Sequence, residues 1–371
     1  MPAESRDQAS RDLGNLDCLR SFAVIAVLID HWSVMHNSRF GGRSEDAFGV
    51  NLGFVGVVAF FVHTSLVLMF SLKRMSASGG LVPLRFYIRR IFRIYPLAIL
   101  TILCVLLFRI PELPVLGSHF VAPTPKVLFA NVLLIQNLVG HASVLGPLWS
   151  LPFEIEMYVL LPALFLLATK PRGASSIAAL FLWFTAFGYA VRTNTGLANI
   201  LAYAPCFLSG VFAFTLRGKV RPKMPASLWP LTLCAWFAIS SKLISGYATP
   251  ADLVIQAMMC FVLGSSLNFF HDSNSSFLNL VTGTIAKYSY GIYLTHLPAM
   301  WIVKGFWKSN ELLSTALWLA LTGLVSALLY HLLEAPMINL GKSITDHRLL
   351  VGTTSALNAA EAAEAPGYRV A

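Results

Sequence analysis

The chain alternates between long apolar segments and short polar stretches. Ten segments are long enough to cross a bilayer, because a spanning helix needs about 20 mostly apolar residues. These segments cover residues 16–36, 50–72, 89–109, 147–169, 174–191, 197–216, 228–246, 251–270, 285–307 and 312–337. The pattern predicts an all-α integral membrane protein, a polytopic bundle of about ten transmembrane helices. A shorter run, 126–140, carries amide side chains, and we expect it to be re-entrant or interfacial.

The composition supports this fold class. Of the 371 residues, 56% are hydrophobic and 12% are charged, whereas a soluble domain has about 25% charged residues. The formal net charge of +10 does not require a nucleic-acid partner, because cytoplasmic loops of membrane proteins are rich in Lys and Arg. With ten spans and an internal N-terminus, most of the 27 basic residues are cytoplasmic. We therefore expect a multi-pass protein of the inner membrane with both termini in the cytoplasm.

The segments divide the chain into one large domain with two tails. We expect residues 1–14 to form a cytoplasmic N-terminal tail, residues 15–340 the transmembrane domain, and residues 341–371 a disordered cytoplasmic tail. The first apolar segment carries charges that a signal-peptide core excludes, so we expect it to be retained. The five cysteines form no CxxC pair, and we expect neither a disulfide framework nor a metal site.

The first apolar segment is unusual because it carries ionisable residues. Arg20 and His31 are eleven residues apart, which places them on one helix face with a rise of about 16 Å between them. Ionisable side chains inside a membrane are costly and usually functional. The alternative is a packed helix whose histidine bonds a neighbour. Asp30 is adjacent to His31 but about 100° away around the helix, so we do not assign it as the orienting partner.

A cluster of arginines opens the third segment. Arg85, Arg89 and Arg93 share a helix face at spacings of four residues, and Arg90 flanks them. Arginine is well suited to bidentate phosphate binding, and this cluster is expected at the cytoplasmic surface. The positive-inside rule alone also explains several arginines without any ligand.

Two carboxylates occur near the start of the fourth segment. Glu154 and Tyr158 lie on one face, and Glu156 points roughly the opposite way. One of the carboxylates is expected to pair with a buried cation or polar network, and a purely structural ion pair is the alternative. His63 lies alone in the second segment, where a hydrogen-bonded structural histidine is the favoured interpretation.

Two further polar groups occur near the end of the chain. Ser289, Tyr293 and His296 share one helix face and either line a cavity or satisfy polar groups between helices. His331 and Glu334 end the last segment near the cytoplasm. A structural role is favoured for both groups.

Taken together, these stretches resemble the acyltransferase 3 family of integral membrane O-acyltransferases. The resemblance extends over residues 16–338 in the order of the family's motifs. The matching positions are Arg20 and His31 of the first helix, Arg89, Arg90, Arg93 and Pro96 of an Arg-Arg-x-x-Arg-x-x-Pro motif, Trp149, Ser150 and Glu154 of a Trp-Ser-Leu-x-x-Glu motif, and the closing patches that contain His296 and Glu334.

The second apolar segment departs from the family pattern. Where the family has an acidic residue this chain has Val58, and Thr64-Ser65 replaces a Ser-Gly pair. The function of this stretch toward the acceptor is therefore open, and His63 is a candidate for compensation.

The resemblance implies transfer of an acyl group, most often acetyl, from acyl-CoA to a hydroxyl of a glycan, a lipid-linked molecule or a secreted molecule. In this interpretation acyl-CoA is a substrate and no cofactor is tightly bound. Arg89, Arg90 and Arg93 would bind CoA, whose pantetheine arm is long enough to carry a thioester to the depth of His31.

The same interpretation assigns three catalytic residues. His31 would be the general base, because imidazole exchanges protons near neutral pH. Arg20 would hold the CoA or stabilise the oxyanion, and Glu154 would orient His31 or bind the acceptor. The rival hypothesis is a transporter or flippase for an anionic lipid-linked saccharide, in which arginines hold phosphate and His31 relays protons.

Overall fold

The computed structural model describes residues 14–39, 51–112, 119–195, 200–244, 249–306 and 311–346. Within these ranges the fold is all-helical, as predicted, and contains no β-strand. A single bridge pairs Met224 with Phe270. The predicted N-terminal tail up to residue 13, and residues 347–371 of the predicted C-terminal tail, lie outside the described ranges.

Twelve α-helices are numbered here in chain order. They are α1 Gly14–Arg39, α2 Leu52–Ala77, α3 Val82–Phe108, α4 Pro125–Val132, α5 Leu151–Ala168, α6 Gly173–Thr195, α7 Ile200–Leu216, α8 Trp229–Leu243, α9 Pro250–Ser266, α10 Ser276–Phe306, α11 Glu311–Leu329 and α12 Ala335–Asp346. A 3₁₀ turn over Gly146–Ser150 leads into α5, and a π-helical turn over Tyr330–Glu334 joins α11 to α12.

The described part of each of the ten predicted apolar segments is mainly helical, but the number of spans is not confirmed. Within the described ranges, six helical segments are long and apolar enough to cross a membrane, which makes the chain a multi-pass membrane protein. They are Leu52–Ala77, Val82–Phe108, Gly146–Ala168, Gly173–Val191, Pro250–Phe269 and Glu311–Asp346. The helices α1 and α10 are not among the six. Both carry polar side chains, and these line a cavity inside the bundle.

The shorter run at 126–140 forms the eight-residue helix α4 followed by turns. Asn131 is fully buried in this segment and donates hydrogen bonds to the carbonyls of Val127 and Ala142, each at 2.9 Å. The side-chain amide of Asn131, which is unsuited to lipid contact, therefore stabilises the turns of this segment. Its re-entrant or interfacial placement stays a prediction.

The helix α2 is the centre of the bundle and packs against α1 on one side and α7 on the other. Glycines allow these close contacts, as is common between membrane helices. A Cβ on Gly56 would lie 2.6 Å from the carbonyl oxygen of Ala23, and one on Gly210 would lie 2.2 Å from that of Val62. The contact between α1 and α2 fixes the depth at which α1 presents its ionisable residues.

The bundle has two chemically different ends. We call the end that holds Arg85, Arg89 and the helix α12 the basic end, and the end where α1 finishes and α2 begins the opposite end. At the basic end α12 packs along α3. The first six residues of the predicted C-terminal tail, 341–346, belong to this helix, so the ordered fold extends beyond residue 340.

The glycine contact between α7 and α2 gives a stability test. We expect Gly210→Ala to lower the free energy of unfolding by about 1–3 kcal/mol, because the added methyl group overpacks a backbone contact. The matched control is Gly323→Ala in α11, where a Cβ meets nothing within 4 Å. Thermal unfolding in detergent measures both. Equal melting temperatures for the two variants would show that α2 and α7 are not in such close contact.

Candidate active site

Three cavities lie one after another along the bundle. The central chamber, of about 90 Å³, lies among α1, α2, α3, α5 and α10. The basic vestibule, of about 540 Å³, opens at the basic end between α3 and α12. The histidine pocket, of about 210 Å³, lies between α1, α2 and the turn before α5. Each neighbouring pair shares two lining residues, so the cavities form an interrupted path.

The central chamber contains a cluster of opposite charges. Arg20 of α1 donates a hydrogen bond from Nε to Ser289 Oγ at 2.5 Å. Glu154 lies within electrostatic range of Arg20, Arg90 and Arg93, and its Oε2 accepts a 2.6 Å hydrogen bond from the Tyr158 hydroxyl. Glu154 therefore lies in a buried polar network with cations nearby, which is one of the two arrangements predicted for a carboxylate in this segment. The cluster joins α1, α3, α5 and α10.

A second carboxylate comes from the turn after α11. Glu334 is 2% exposed and lies 3.4 Å from Arg93 in a salt bridge. The sequence suggested a structural cap near the end of the last segment, but this side chain points into the charged cluster instead. The π-helical turn adds a residue to the helix repeat and turns Glu334 toward α3.

The basic vestibule is lined by cations from three helices. They are Arg74 of α2, Arg85 and Arg89 of α3, and Lys342 of α12, which also adds the carboxylate of Asp346. Arg90 and Arg93 line both the vestibule and the central chamber. Guanidinium groups at this boundary can contact a polyanion in the vestibule and a polar chain in the chamber.

The arginines differ in their internal partners. Arg89 pairs with Asp346 at 2.7 Å, and Arg93 pairs with Glu334. Arg90 lies over the ring of Phe86, with its guanidinium carbon 5.9 Å from the ring centroid. The helix-face argument grouped Arg85 with these residues, but Arg85 is 3% exposed and is held by structural contacts.

The histidine pocket is lined by two ionisable residues from the second half of α1. Asp30 and His31 line it, together with Phe54, Trp149 and Tyr293. Tyr293 also lines the central chamber, as does Val57, so these two side chains form the wall between the cavities. The Tyr293 hydroxyl lies 3.0 Å from Ser150 Oγ, which ties the wall to the turn before α5.

The hydrogen bonds of His31 suit it to accept a proton. Nδ1 lies 2.9 Å from the carbonyl oxygen of Val27, so the tautomer assigned from this contact carries its hydrogen on Nδ1 and a lone pair on Nε2. None of the described residues hydrogen-bonds that Nε2. The carboxylate of Glu154 lies in the chamber, so the orienting role suggested for it is taken by the Val27 carbonyl.

Asp30 has a separate structural role. Its carboxylate accepts hydrogen bonds from the backbone amides of Leu52 and Gly53, which are the first two residues of α2. Free amides at a helix N-terminus are satisfied by such acceptors, and the residue before the helix, Asn51, makes no side-chain cap. The sequence argument against Asp30 as the orienting partner of His31 agrees with this arrangement.

The structure brings one further histidine to His31. The ring centroids of His31 and His296 are 4.9 Å apart at an interplanar angle of 65°. The sequence placed Ser289 and His296 on one face of their helix but favoured a structural role. In the structure Ser289 hydrogen-bonds Arg20, and the ring of His296 contacts that of His31. Polar residues of α10 therefore pack against both Arg20 and His31 of α1. The sequence signal for these contacts was the spacing of polar residues along an otherwise apolar helix.

The stretch that departs from the family pattern lies in the core of α2. Val58 is fully buried, and the thiol of Cys260 lies 3.9 Å from its carbonyl oxygen. The position of the usual acidic residue is therefore filled by apolar packing. His63 is 3% exposed, lines the central chamber and has no hydrogen-bond partner for Nδ1.

No group of three or more His, Cys, Asp or Glu side chains is arranged to hold a metal ion in the part of the chain that the structure describes. The five cysteines are free thiols. The side chains that line the three cavities offer imidazole, guanidinium, carboxylate and hydroxyl groups.

Comparison with known proteins decides the family. A family model described as an acyltransferase domain, that of the acyltransferase 3 family, matches residues 13–331. The chain belongs to this family. It is therefore an acyltransferase, and the transporter hypothesis loses its basis. The match begins next to α1 and ends within the turn after α11, so α12, with Lys342 and Asp346, lies beyond it.

One curated relative shows the kind of protein to which this acyltransferase is similar. The peptidoglycan O-acetyltransferase OatA of Listeria monocytogenes is 24% identical over 367 residues, covering 87% of this chain and 55% of that protein. The chain spans about half the length of this relative. No solved structure matches the acyltransferase.

The structural assignment of Arg85 gives a test. Its guanidinium donates to the Gly79 carbonyl at 2.8 Å, to Ser78 Oγ at 3.0 Å and to Asp346 at 3.2 Å. We expect Arg85→Ala to lower the free energy of unfolding by about 1–3 kcal/mol, because it removes a buried side chain together with its three hydrogen bonds.

The matched control for this test is Arg172→Ala, an exposed arginine in the turn before α6. Its effect should stay within about 0.5 kcal/mol. Thermal unfolding in detergent compares the variants. An Arg85 variant as stable as the control would return this residue to the group of ligand-binding arginines.

Proposed function

We propose that this acyltransferase moves an acyl group, acetyl in the first instance, from acyl-CoA to a hydroxyl of a glycan or lipid-linked acceptor. The observation that carries the proposal is the row of three cavities, with cations at one end and His31 at the other. Donor and acceptor would approach from opposite ends and meet at the wall between the central chamber and the histidine pocket.

The basic vestibule suits the nucleotide end of CoA. Its phosphates are polyanionic, and charge-assisted hydrogen bonds from arginine are about twice as strong as neutral ones. Arg89, Arg90 and Arg93 would bind these phosphates, and Lys342 of α12 lines the same cavity. Asp346 and Glu334, which now pair with Arg89 and Arg93, would exchange these partners for phosphate.

The central chamber suits the arm of the donor. The arm would pass between Arg90 and Arg93 and extend along α1 toward His31, about 16 Å above Arg20 by helix rise. Polar side chains at the chamber wall, among them Arg20, Glu154 and Ser289, offer hydrogen bonds to its amide groups. In this arrangement Arg20 binds the arm of the donor, because it lies in the central chamber. It does not stabilise the oxyanion, which would form beside His31.

His31 would act as the general base. Its Nε2 would take the proton of the acceptor hydroxyl while the oxygen attacks the thioester carbon. The C–S bond then breaks, its electron pair leaves on the CoA sulfur, and the proton passes from His31 to this thiolate. The Val27 carbonyl keeps the required tautomer throughout, as a backbone acceptor commonly does for functional histidines.

The histidine pocket would bind the acceptor. Trp149 and Phe54 supply aromatic surface, and their ring centroids lie 6.1 Å apart in a stacked arrangement. One relative is named for peptidoglycan O-acetylation, which supports a polysaccharide hydroxyl as the acceptor. With the basic end of the bundle facing the cytoplasm, the acceptor would be modified on the outer side of the inner membrane.

The donor assignment is tested at Arg90, which pairs with no carboxylate among the described residues. We expect Arg90→Gln to weaken CoA binding roughly tenfold or more, because a hydrogen bond to a charged group contributes about 1.5–3 kcal/mol. Isothermal titration of the purified protein with CoA measures the change. The control is Arg221→Gln, an exposed arginine outside the three cavities.

If the Arg90 variant binds CoA as tightly as the wild type, the arginine cluster has only a topological role. The positive-inside rule would then explain it, and the donor would have to bind elsewhere.

The base assignment is tested at His31. We expect His31→Gln to lower the rate of acyl transfer at least about a hundredfold with CoA affinity unchanged, because an amide cannot accept the proton. The control is His271→Gln, an exposed histidine in a loop at the basic end. Transfer is followed by release of the CoA thiol. A folded His31→Gln protein with near wild-type transfer would remove His31 from the mechanism.

A further inference from the structure

The second imidazole beside His31 has an incomplete set of hydrogen bonds. Nδ1 of His296 lies 2.7 Å from the carbonyl oxygen of Tyr293 and 3.2 Å from that of Ile292. Its hydrogen therefore lies on Nδ1, and Nε2 carries the lone pair. The side chain is fully buried, and Nε2 has no hydrogen-bond partner among the described residues. Buried polar atoms in folded proteins are normally satisfied, so an unpaired one calls for an explanation.

The two rings are held in the same way and face each other. Both donate from Nδ1 to a carbonyl of their own helix, which fixes each ring and leaves each Nε2 with a lone pair. Their centroids are 4.9 Å apart at an interplanar angle of 65°, which is an edge-to-face contact between the two imidazoles. No carboxylate of the described residues bonds either ring, since Asp30 caps α2.

This arrangement matters once His31 has taken a proton. An imidazolium carries hydrogen on both nitrogens, so the new Nε2–H can donate a hydrogen bond. In hydrolytic triads a carboxylate stabilises the imidazolium through a hydrogen bond, whereas here Asp30 acts on His31 electrostatically and none of the described carboxylates hydrogen-bonds its ring. The lone pair on Nε2 of the neighbouring His296 is an unused acceptor among the described residues.

We propose that His296 is a positioning residue for His31, whose Nε2 accepts a hydrogen bond from protonated His31 during acyl transfer. The inference rests on the proposed function, because it assigns His296 a part in the same reaction. The acceptor hydroxyl gives its proton to His31, the new C–O bond forms and the C–S bond breaks. The proton shared by the two imidazoles then goes to the CoA thiolate, and both rings return to the neutral state.

The test uses a substitution that keeps the structural bond and removes the lone pair. In His296→Asn the side-chain amide can still donate to the Tyr293 carbonyl, as Nδ1 does now, but nothing replaces Nε2. We expect normal folding and CoA affinity, an unchanged KM for acetyl-CoA, and a kcat lowered roughly tenfold to hundredfold. The matched control is His331→Asn, an exposed histidine bonded to Tyr288 at the basic end, which should transfer acyl groups as the wild type does.

A second readout separates proton handling from packing. Small alcohols of rising acidity, from ethanol to trifluoroethanol, serve as acceptors with acetyl-CoA. If His296 supports the base, the defect of His296→Asn shrinks as the acceptor becomes more acidic, because base catalysis then contributes less. A packing role predicts the same defect for every acceptor, and a constant defect would overturn the proposal.

The remaining outcomes are also decisive. If Asn lowers the folded yield, His296→Ser provides the second variant, because its hydroxyl can donate to the Tyr293 carbonyl and nothing replaces Nε2. Its defect should show the same dependence on acceptor acidity. Wild-type kcat in either folded variant would overturn the role of His296 while leaving the proposed function standing. A wild-type protein that binds CoA but consumes no acetyl-CoA with any acceptor would overturn the proposed function and this inference together.

Discussion

Charge inside an apolar bundle has to be paired, and the pairing in this protein determines how its helices are arranged. A guanidinium or carboxylate buried in the membrane is costly unless it finds a partner. Here Arg93 pairs with Glu334, and Glu154 lies among three arginines. Each of these contacts joins helices that are distant in sequence. Moving one helix by a turn would leave a charge unpaired, so the polar cluster fixes the relative depth of the helices.

The same constraint explains the position of the reactive group. The close contact between α1 and α2 at Gly56 and the hydrogen bond from Arg20 to Ser289 hold α1 at one depth. His31 then lies three helical turns further along, at a pocket that is separated from the charged chamber by only two side chains. In the proposed mechanism, donor binding by Arg20 and proton transfer by His31 are thus placed on one helix, at a distance that its backbone geometry sets.

Much of this site follows from the sequence because its main elements are local. The spacing of Arg20 and His31 within one helix predicts a shared face, and the periodicity of Arg89 and Arg93 predicts another. The apolar pattern predicts the helices themselves. These inferences hold because helix geometry alone determines them.

The remaining features depend on contacts between distant segments, which spacing does not reveal. Arg85 and Arg89 meet Asp346, about 260 positions later in the chain, and nothing in their own helix distinguishes them from Arg90. His296 seemed structural until the packing of α10 on α1 brought it to His31. Two of the predicted spans, α1 and α10, are not among the six long apolar segments for a related reason: the polar side chains that they bring to the site lower their mean hydropathy.

The central claim is that donor and acceptor reach the reaction centre from opposite ends of the bundle. The direct measurement uses sealed inside-out membrane vesicles that contain the protein and enclose a polysaccharide acceptor. Labelled acetyl-CoA is added outside, next to the basic end. The account predicts that the label accumulates on the enclosed acceptor, and that right-side-out vesicles incorporate none. Label found only on acceptor supplied on the same side as acetyl-CoA would contradict it.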